Sequence, residues 1–198
     1  MANISTKALQ MPASAIRKLV PLADAAKKQG TKVYHLNVGQ PDIKSPKCAL
    51  DAIRNYSAEN VSYSHSAGLM ELRKGLVEKY YKKIGIDITV DELIVTVAGS
   101  ESVNLALEIA CNPGDEVIVL EPFYTNYNTF AFMNGLTLKA IPTDIRNGFQ
   151  VPPIEEFEKA ITEKTKAILV CNPGNPTGTQ YSKESMLALG EIARKHDL

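Results

Sequence analysis

The chain has 198 residues, 44% of them hydrophobic and 22% charged, with Lys+Arg 22 set against Asp+Glu 22. That length suits one domain or one and a fraction, with enough apolar material for a core that needs no disulfide staples. A net charge of zero argues against a nucleic-acid partner, which selects a basic excess, and lends no support to an anionic membrane surface.

Residues 14–29 predict a helix, with Ile16, Leu19, Leu22 and Ala26 at helical spacing and Gly30 as a stop. Lys32 to Val38 alternates imperfectly and predicts a short strand, followed by a loop of turn formers from Gly39 to Pro46. Residues 47–57 predict a second helix. Residues 69–84 carry the strongest helical pattern, with Leu69, Leu72, Leu76, Tyr80 and Ile84 on one face. Leu93 to Val97 is a β-rich run leading through Ala98 and Gly99 into a helix with Val103, Ala106, Leu107 and Ala110 on one side. A turn at residues 112–115 precedes a strand at Val117 to Leu120, whose lack of polar alternation predicts burial on both faces. A helix from Tyr124 closed by Gly135, a strand at Thr137 to Ile141, a short helix around Phe157, a strand at Ala167 to Val170 and a last helix through Met186, Leu189 and Ala193 complete the order.

Strands alternating with helices from Leu93 onward predict an α/β fold with a mostly parallel sheet. Ligands of such sheets sit beyond the carboxyl ends of the strands, which directs attention to the residues after Val97, Leu120 and Val170. After Val97 come Ala98, Gly99, Ser100, Glu101 and Ser102. Small residues at a helix start can seat an anion on free backbone amides, or Ser100 can simply cap the helix. Neither G-x-x-x-x-G-K-[ST] nor G-x-G-x-x-G occurs. After Leu120, Phe123 and Tyr124 can stack on a flat ligand or cover the sheet edge. After Val170, the run Asn172-Pro-Gly-Asn-Pro-Thr-Gly178 is either a plain tight turn or a rigid mount for the Asn175 amide.

Other chemistry is thinly supported. His35, His65 and His196 have no partners at metal-ligand spacing, and no metal site is expected. G-x-S-x-G is absent. Cys48, Cys111 and Cys171 are widely spaced without a C-x-x-C pair, which fits incidental thiols in a reducing cytoplasm. No apolar run approaches the roughly 18 residues of a membrane span, and residues 1–10 lack a signal-peptide core.

The ordered set of Val33 to Asp42, Tyr63 with Gly68, Val97 to Ser102, Glu121 to Tyr124 and Asn172 to Gly178 resembles the fold-type I aminotransferases that use pyridoxal phosphate, closest to the class I/II group around aspartate aminotransferase. The resemblance runs from about Ser14 to Leu198. It implies a three-layer αβα large domain with a mostly parallel sheet that is incomplete here. Residues 1–46 would form an N-terminal arm and part of a small domain, and 47–198 the first part of the cofactor-binding large domain. Gly99, Ser100 and the amide of Glu101 would hold the cofactor phosphate. Tyr124 would stack on the pyridine ring, and Asn175 would hydrogen-bond the ring's phenolic oxygen. Tyr63 would reach the phosphate in the neighbouring subunit of a homodimer. Gly39 and Ile16 would line the substrate side. Cis prolines would fall at Glu121–Pro122 and Asn175–Pro176.

The resemblance also implies an amino-group transfer between an L-amino acid, aspartate among the candidates, and a 2-oxo acid. The family's Schiff-base Lys, pyridine-pairing Asp and carboxylate-binding Arg would lie beyond Leu198, so no catalytic residue is assigned within the chain. Lys183 on the last helix is expected to be a surface lysine. Other pyridoxal-phosphate chemistry on the same fold, such as a lyase, an inactive fragment or a non-enzymatic cofactor-binding module, is the alternative.

Overall fold

The computed structural model describes residues 3–14 and 16–198. In chain order the elements are α1 (Thr6–Gln10), a 3-10 turn (Arg17–Leu19), α2 (Val20–Lys28), α3 (Lys47–Arg54), α4 (Met70–Leu76), a π-turn (Val77–Tyr81), 3-10 turns at Lys82–Ile84 and Val90–Glu92, and α5 (Gly99–Ala110). Then follow β1 (Glu116–Glu121), α6 (Asn126–Asn134), β2 (Thr137–Pro142), a 3-10 turn (Ile145–Asn147), α7 (Ile154–Ala160), β3 (Thr165–Leu169) and α8 (Lys183–His196). They form two compact units, Met1–Val33 with Ser102–Leu198, and Tyr34–Glu101.

The first unit is built on a three-stranded parallel sheet in the order β2-β1-β3. Successive residues of a strand face opposite sides, so a strand between two apolar layers must be apolar throughout. Val117, Ile118, Val119 and Leu120 satisfy this, and all are buried. Val117 and Val119 pack with Leu107 of α5, and Tyr127, Phe130 and Ala131 of α6. Ile118 and Leu120 join Ile141, Phe157 of α7, and Leu189 and Ile192 of α8 on the other face. Helices thus cover both faces of the sheet, the expected α/β layering. Gly135 ends α6 at φ 69°, where its N–H donates to Phe132 and Leu136 N–H donates to Ala131 at 2.8 Å.

The second unit buries little. Arg73 and Val77 are its buried residues among those described. The apolar face expected on the 69–84 helix is largely open, with Leu69, Leu72, Tyr80 and Ile84 exposed. The neighbouring face turns inward instead. Arg73 Nη1 donates to the Val90 carbonyl at 2.8 Å, and the helix widens into a π-turn and then tightens into a 3-10 turn that ends at Gly85, φ 77°. Glu92 Oε2 accepts from Thr89 N and Oγ1, both at 2.8 Å, which fixes the next turn and holds the Glu92 carboxyl below its usual range.

Two predicted strands do not form. Lys32 to Val38 and Leu93 to Val97 join no ladder. β-rich composition supplies a willing strand, but a ladder needs a partner's backbone. At residues 93–97 the Val95 N–H donates to Ala67 O at 3.0 Å, and Ile94 and Val97 remain exposed.

Candidate functional site

The loop after β3 is rigid for identifiable reasons. Gly174 N–H donates to Thr179 O and Gly178 N–H to Gly174 O, both at 2.8 Å. Tyr181 N–H donates to Asn172 Oδ1 at 3.0 Å, and Thr179 Oγ1 ties the far end to Gly148 O at 2.8 Å. A Cβ on Gly174 would come within 2.6 Å of Thr177 Oγ1, so the loop closes only with glycine there. The Asn172–Pro173 and Asn175–Pro176 bonds are cis, as is Glu121–Pro122; the first was not foreseen. This loop carries Asn175 on the wall of a small cleft at the carboxyl ends of β1 and β3, with Val119, Phe123, Tyr127 and Tyr181. The Asn175 side-chain amide makes no hydrogen bond among the described residues.

Tyr124 follows β1 in the same unit and is held at two points. Asn126 Nδ2 donates to its hydroxyl oxygen at 2.7 Å. Tyr127 meets its ring edge-on, with centroids 5.5 Å apart and planes at 89°. Tyr127 in turn stacks on Phe123 at 6.1 Å and 15°. Burial, then a hydrogen bond with Cys171, pushes the Tyr127 phenol up to about 12, so it stays protonated at neutral pH. Sequence reasoning missed both supports. The sequence predicts a helix over this segment, but no local motif reveals what the Tyr127 ring touches.

Tyr124 also walls a cavity of about 390 Å³ together with Ile16, Arg17, Asn126 and Phe130. The structure therefore brings Ile16 and Tyr124 to one cavity. Arg17 is a further lining residue, which no sequence motif singles out. The Thr125 hydroxyl is buried without a partner among the described residues, beside a neighbouring cavity of about 370 Å³.

Gly99 and Ser100 open α5, so their amides have no carbonyl one turn back to accept from them. A Cβ on Gly99 would meet nothing within 4 Å. Glu101 is differently placed. Its amide donates to Ala98 O at 3.0 Å, and its carboxylate folds back to accept from Val97 N–H at 2.6 Å. Tyr63 is 106% exposed and Gly39 is exposed, both in the Tyr34–Glu101 unit. His65 Nδ1 accepts from Ala67 N–H at 3.1 Å, and His196 pairs with Glu158 at 2.8 Å, so each has a local structural partner. Among the described residues no three metal-binding side chains cluster, and no helix is long and apolar enough to cross a membrane. The three cysteines are free thiols, with Cys111 buried and Cys48 exposed.

Comparison with known proteins places this geometry. The family model for aminotransferase class I and II matches residues 31–198. The chain is 35% identical over its whole length to the aspartate/prephenate aminotransferase of Thermus thermophilus, covering 51% of that protein. It is 32% identical over 98% of its length to the aspartate aminotransferase of Thermotoga maritima, covering 52% of it. Among solved structures, an alanine aminotransferase from Pyrococcus furiosus matches with a TM-score of 0.88 at 35% identity, over 99% of this chain and 50% of that one. The chain thus spans about half the length of the curated relatives it matches. On the motif order, the sheet and these matches, the chain belongs to the class I and II aminotransferases, a family of pyridoxal-phosphate enzymes with an α/β large domain.

Proposed function

We propose that these residues carry the cofactor-contacting part of an aminotransferase that moves an amino group between an L-amino acid and a 2-oxo acid. Aspartate is the first donor to consider, from the names of the Thermus and Thermotoga relatives, with prephenate among the acceptors. In the whole protein, residues 1–46 supply an arm and part of a small domain, and 47–198 the first part of the large domain.

The residues present fit pyridoxal phosphate. Gly99 and Ser100 seat the phosphate on the first amides of a twelve-residue helix, where the helix dipole favours an anion. The open space at Gly99 lets the phosphate approach the backbone. Glu101 gives less, because its amide already serves Ala98. Tyr124 presents its ring to the cofactor's pyridine face, with its orientation set by Asn126 and Tyr127. Asn175 donates its side-chain N–H to the ring's phenolic oxygen and orients the ring in its plane. Tyr63, left in solvent by its own chain, reaches the phosphate held by a second subunit of a homodimer. Gly39 and Ile16 line the substrate side. When bound, the cofactor supplies an electron sink for the substrate's α-carbon.

The observation that carries this reading is the Asn175 amide, held without a partner on a clamped loop at the carboxyl edge of a parallel sheet. The test is amino transfer by the complete polypeptide in which these residues occur. The expected result is formation of the cognate amino acid from a 2-oxo acid with aspartate as donor, dependent on added pyridoxal phosphate. No transfer from any amino acid, or elimination in place of transfer, would contradict it.

A further inference from the structure

We propose that Thr179 is a positioning residue for Asn175: its hydroxyl fastens the Asn172–Gly178 loop to the turn after β2 and so sets how well the Asn175 amide meets the phenolic oxygen of the cofactor ring. The proposal rests on the aminotransferase reading and adds to it a residue outside the motif.

Thr179 is half-buried and uses its backbone and its side chain. Its carbonyl accepts from Gly174 N–H at 2.8 Å, and its N–H donates to Thr177 Oγ1 at 3.3 Å. These two bonds hold the loop on both sides of Asn175. The hydroxyl leaves the loop and donates to Gly148 O at 2.8 Å. Asn175 itself is exposed and its side chain has no hydrogen bond among the described residues, so its orientation comes from the loop beneath it. An amide aimed at one oxygen weakens steeply with distance and angle, so small displacements of that loop matter.

The acceptor is a fixed point. Gly148 ends the 3-10 turn Ile145–Asn147 at φ 70°, with its N–H on Ile145 O at 3.0 Å. Phe149 follows at φ 59°, a left-handed conformation that a non-glycine residue keeps only where its surroundings impose it. Those surroundings are visible. Phe149 N–H donates to Asp144 O at 2.8 Å. The Asp144 carboxylate accepts from Arg146 N–H at 2.8 Å and from its Nε–H at 2.9 Å. The side-chain bond, then the backbone bond, holds the Asp144 carboxyl below its usual range, so it is ionised at neutral pH. Just before the turn, Thr143 N–H and Oγ1 donate to Glu121 O at 2.8 and 2.7 Å and tie it to the end of β1. Thr179 therefore anchors the loop to an element that is itself anchored to the sheet.

The experiment follows the absorption of pyridoxal phosphate bound to the complete protein as pH is varied. A donor on the phenolic oxygen favours the form in which that oxygen carries its full negative charge, so losing the donor moves the transition to higher pH. The titratable side chains around Asn175 in the cleft are Tyr127, Cys171 and Tyr181, and burial holds both phenols above their ordinary value. Asn175→Ala is expected to raise the midpoint by about 1–2 pH units, the size of one hydrogen bond to a charged group. Thr179→Val keeps the shape, removes the hydroxyl and should raise it by about 0.5 pH units, with Thr179→Ser restoring the wild-type midpoint. In the double variant the Thr179→Val increment should vanish, because no Asn175 contact is left to misplace. An unmoved midpoint in Thr179→Val, or an increment that survives in the double variant, would overturn the proposal. The Thr179–Gly148 bond lies at the surface, where water can take the freed carbonyl, so these variants should fold as the wild type does. Failure of the aminotransferase reading shows separately, as a wild type that takes up no pyridoxal phosphate, and it would overturn this proposal too.

Discussion

The two compact units spend their apolar residues differently. The sheet unit places them on both sides of β1, so that Val117, Ile118 and Phe157 are completely buried. The Tyr34–Glu101 unit leaves Leu36, Ile43, Val61, Tyr63 and Val97 in solvent and buries an arginine. Stability within the chain therefore lives in the sheet unit. The other unit presents surface, and its proposed contributions, Tyr63 and the Gly99–Ser100 helix start, are contacts with something else. A residue of the first kind should change folding when altered, and one of the second kind should change binding.

The largest expected effect follows directly. Phe157→Ala empties the core between β1 and α8 and should cost about 3–5 kcal/mol in chemical denaturation. Val77→Ala, its counterpart in the other unit, should cost only about 1–2 kcal/mol for the carbons removed. Similar losses at both sites would erase the distinction between the units.

Next in size is Ser100→Ala. If Ser100 holds the cofactor phosphate through its hydroxyl as well as its amide, pyridoxal phosphate affinity should drop by about 1.5–3 kcal/mol with the unfolding midpoint of the cofactor-free protein nearly unchanged. A drop in stability with unaltered affinity would make Ser100 a purely structural residue of the first turn of α5. Gly68→Ala sharpens the comparison from the opposite side. Gly68 sits at φ 95° and a Cβ there would lie 2.5 Å from Val95 Cβ, so the chain passes tightly over Val95 at this point. The substitution should destabilise by more than about 1 kcal/mol. Gly99→Ala, with open space at its Cβ, should fold normally.

The smallest effect is at the surface of the sheet unit. Hydrogen bonds from Lys195 and then His196 hold the Glu158 carboxyl below its ordinary value of 4.5. A depressed carboxyl stabilises the fold above the unfolded value, and the contribution is lost as pH falls through the folded one. Denaturation curves of wild type and Glu158→Gln should therefore differ at neutral pH and converge as pH falls below about 4.5. A constant difference down to strong acid would mean that the ionised form of Glu158 is not what matters.

The sheet was legible in the sequence because β1 finds both its partners, β2 and β3, inside the chain, and unbroken apolar runs such as Val117 to Leu120 mark strands covered on both faces. Leu93 to Val97 has equal β character and forms no strand, since composition carries no information about a partner. The 69–84 helix was legible as a helix but not in its buried face. Arg73 turns inward because the Val90 carbonyl meets it there, and that contact is seventeen residues away in sequence. At the site, Asn175 and Tyr124 were legible because they stand in motifs at strand ends. Tyr127, Asn126 and Arg17 were not, because their roles lie in what their side chains meet, the Tyr124 ring and hydroxyl and the cavity beside it.

The central claim is that the loops at the sheet's carboxyl edge serve a pyridoxal-phosphate site. Its most direct test is intact mass after borohydride reduction of the protein, as it occurs in its source, with pyridoxal phosphate. The account predicts one reduced cofactor per chain, none of it on the exposed Lys183, with occupancy at limiting cofactor lowered by Asn175→Ala. No adduct, or adducts scattered over surface lysines and indifferent to Asn175→Ala, would contradict it.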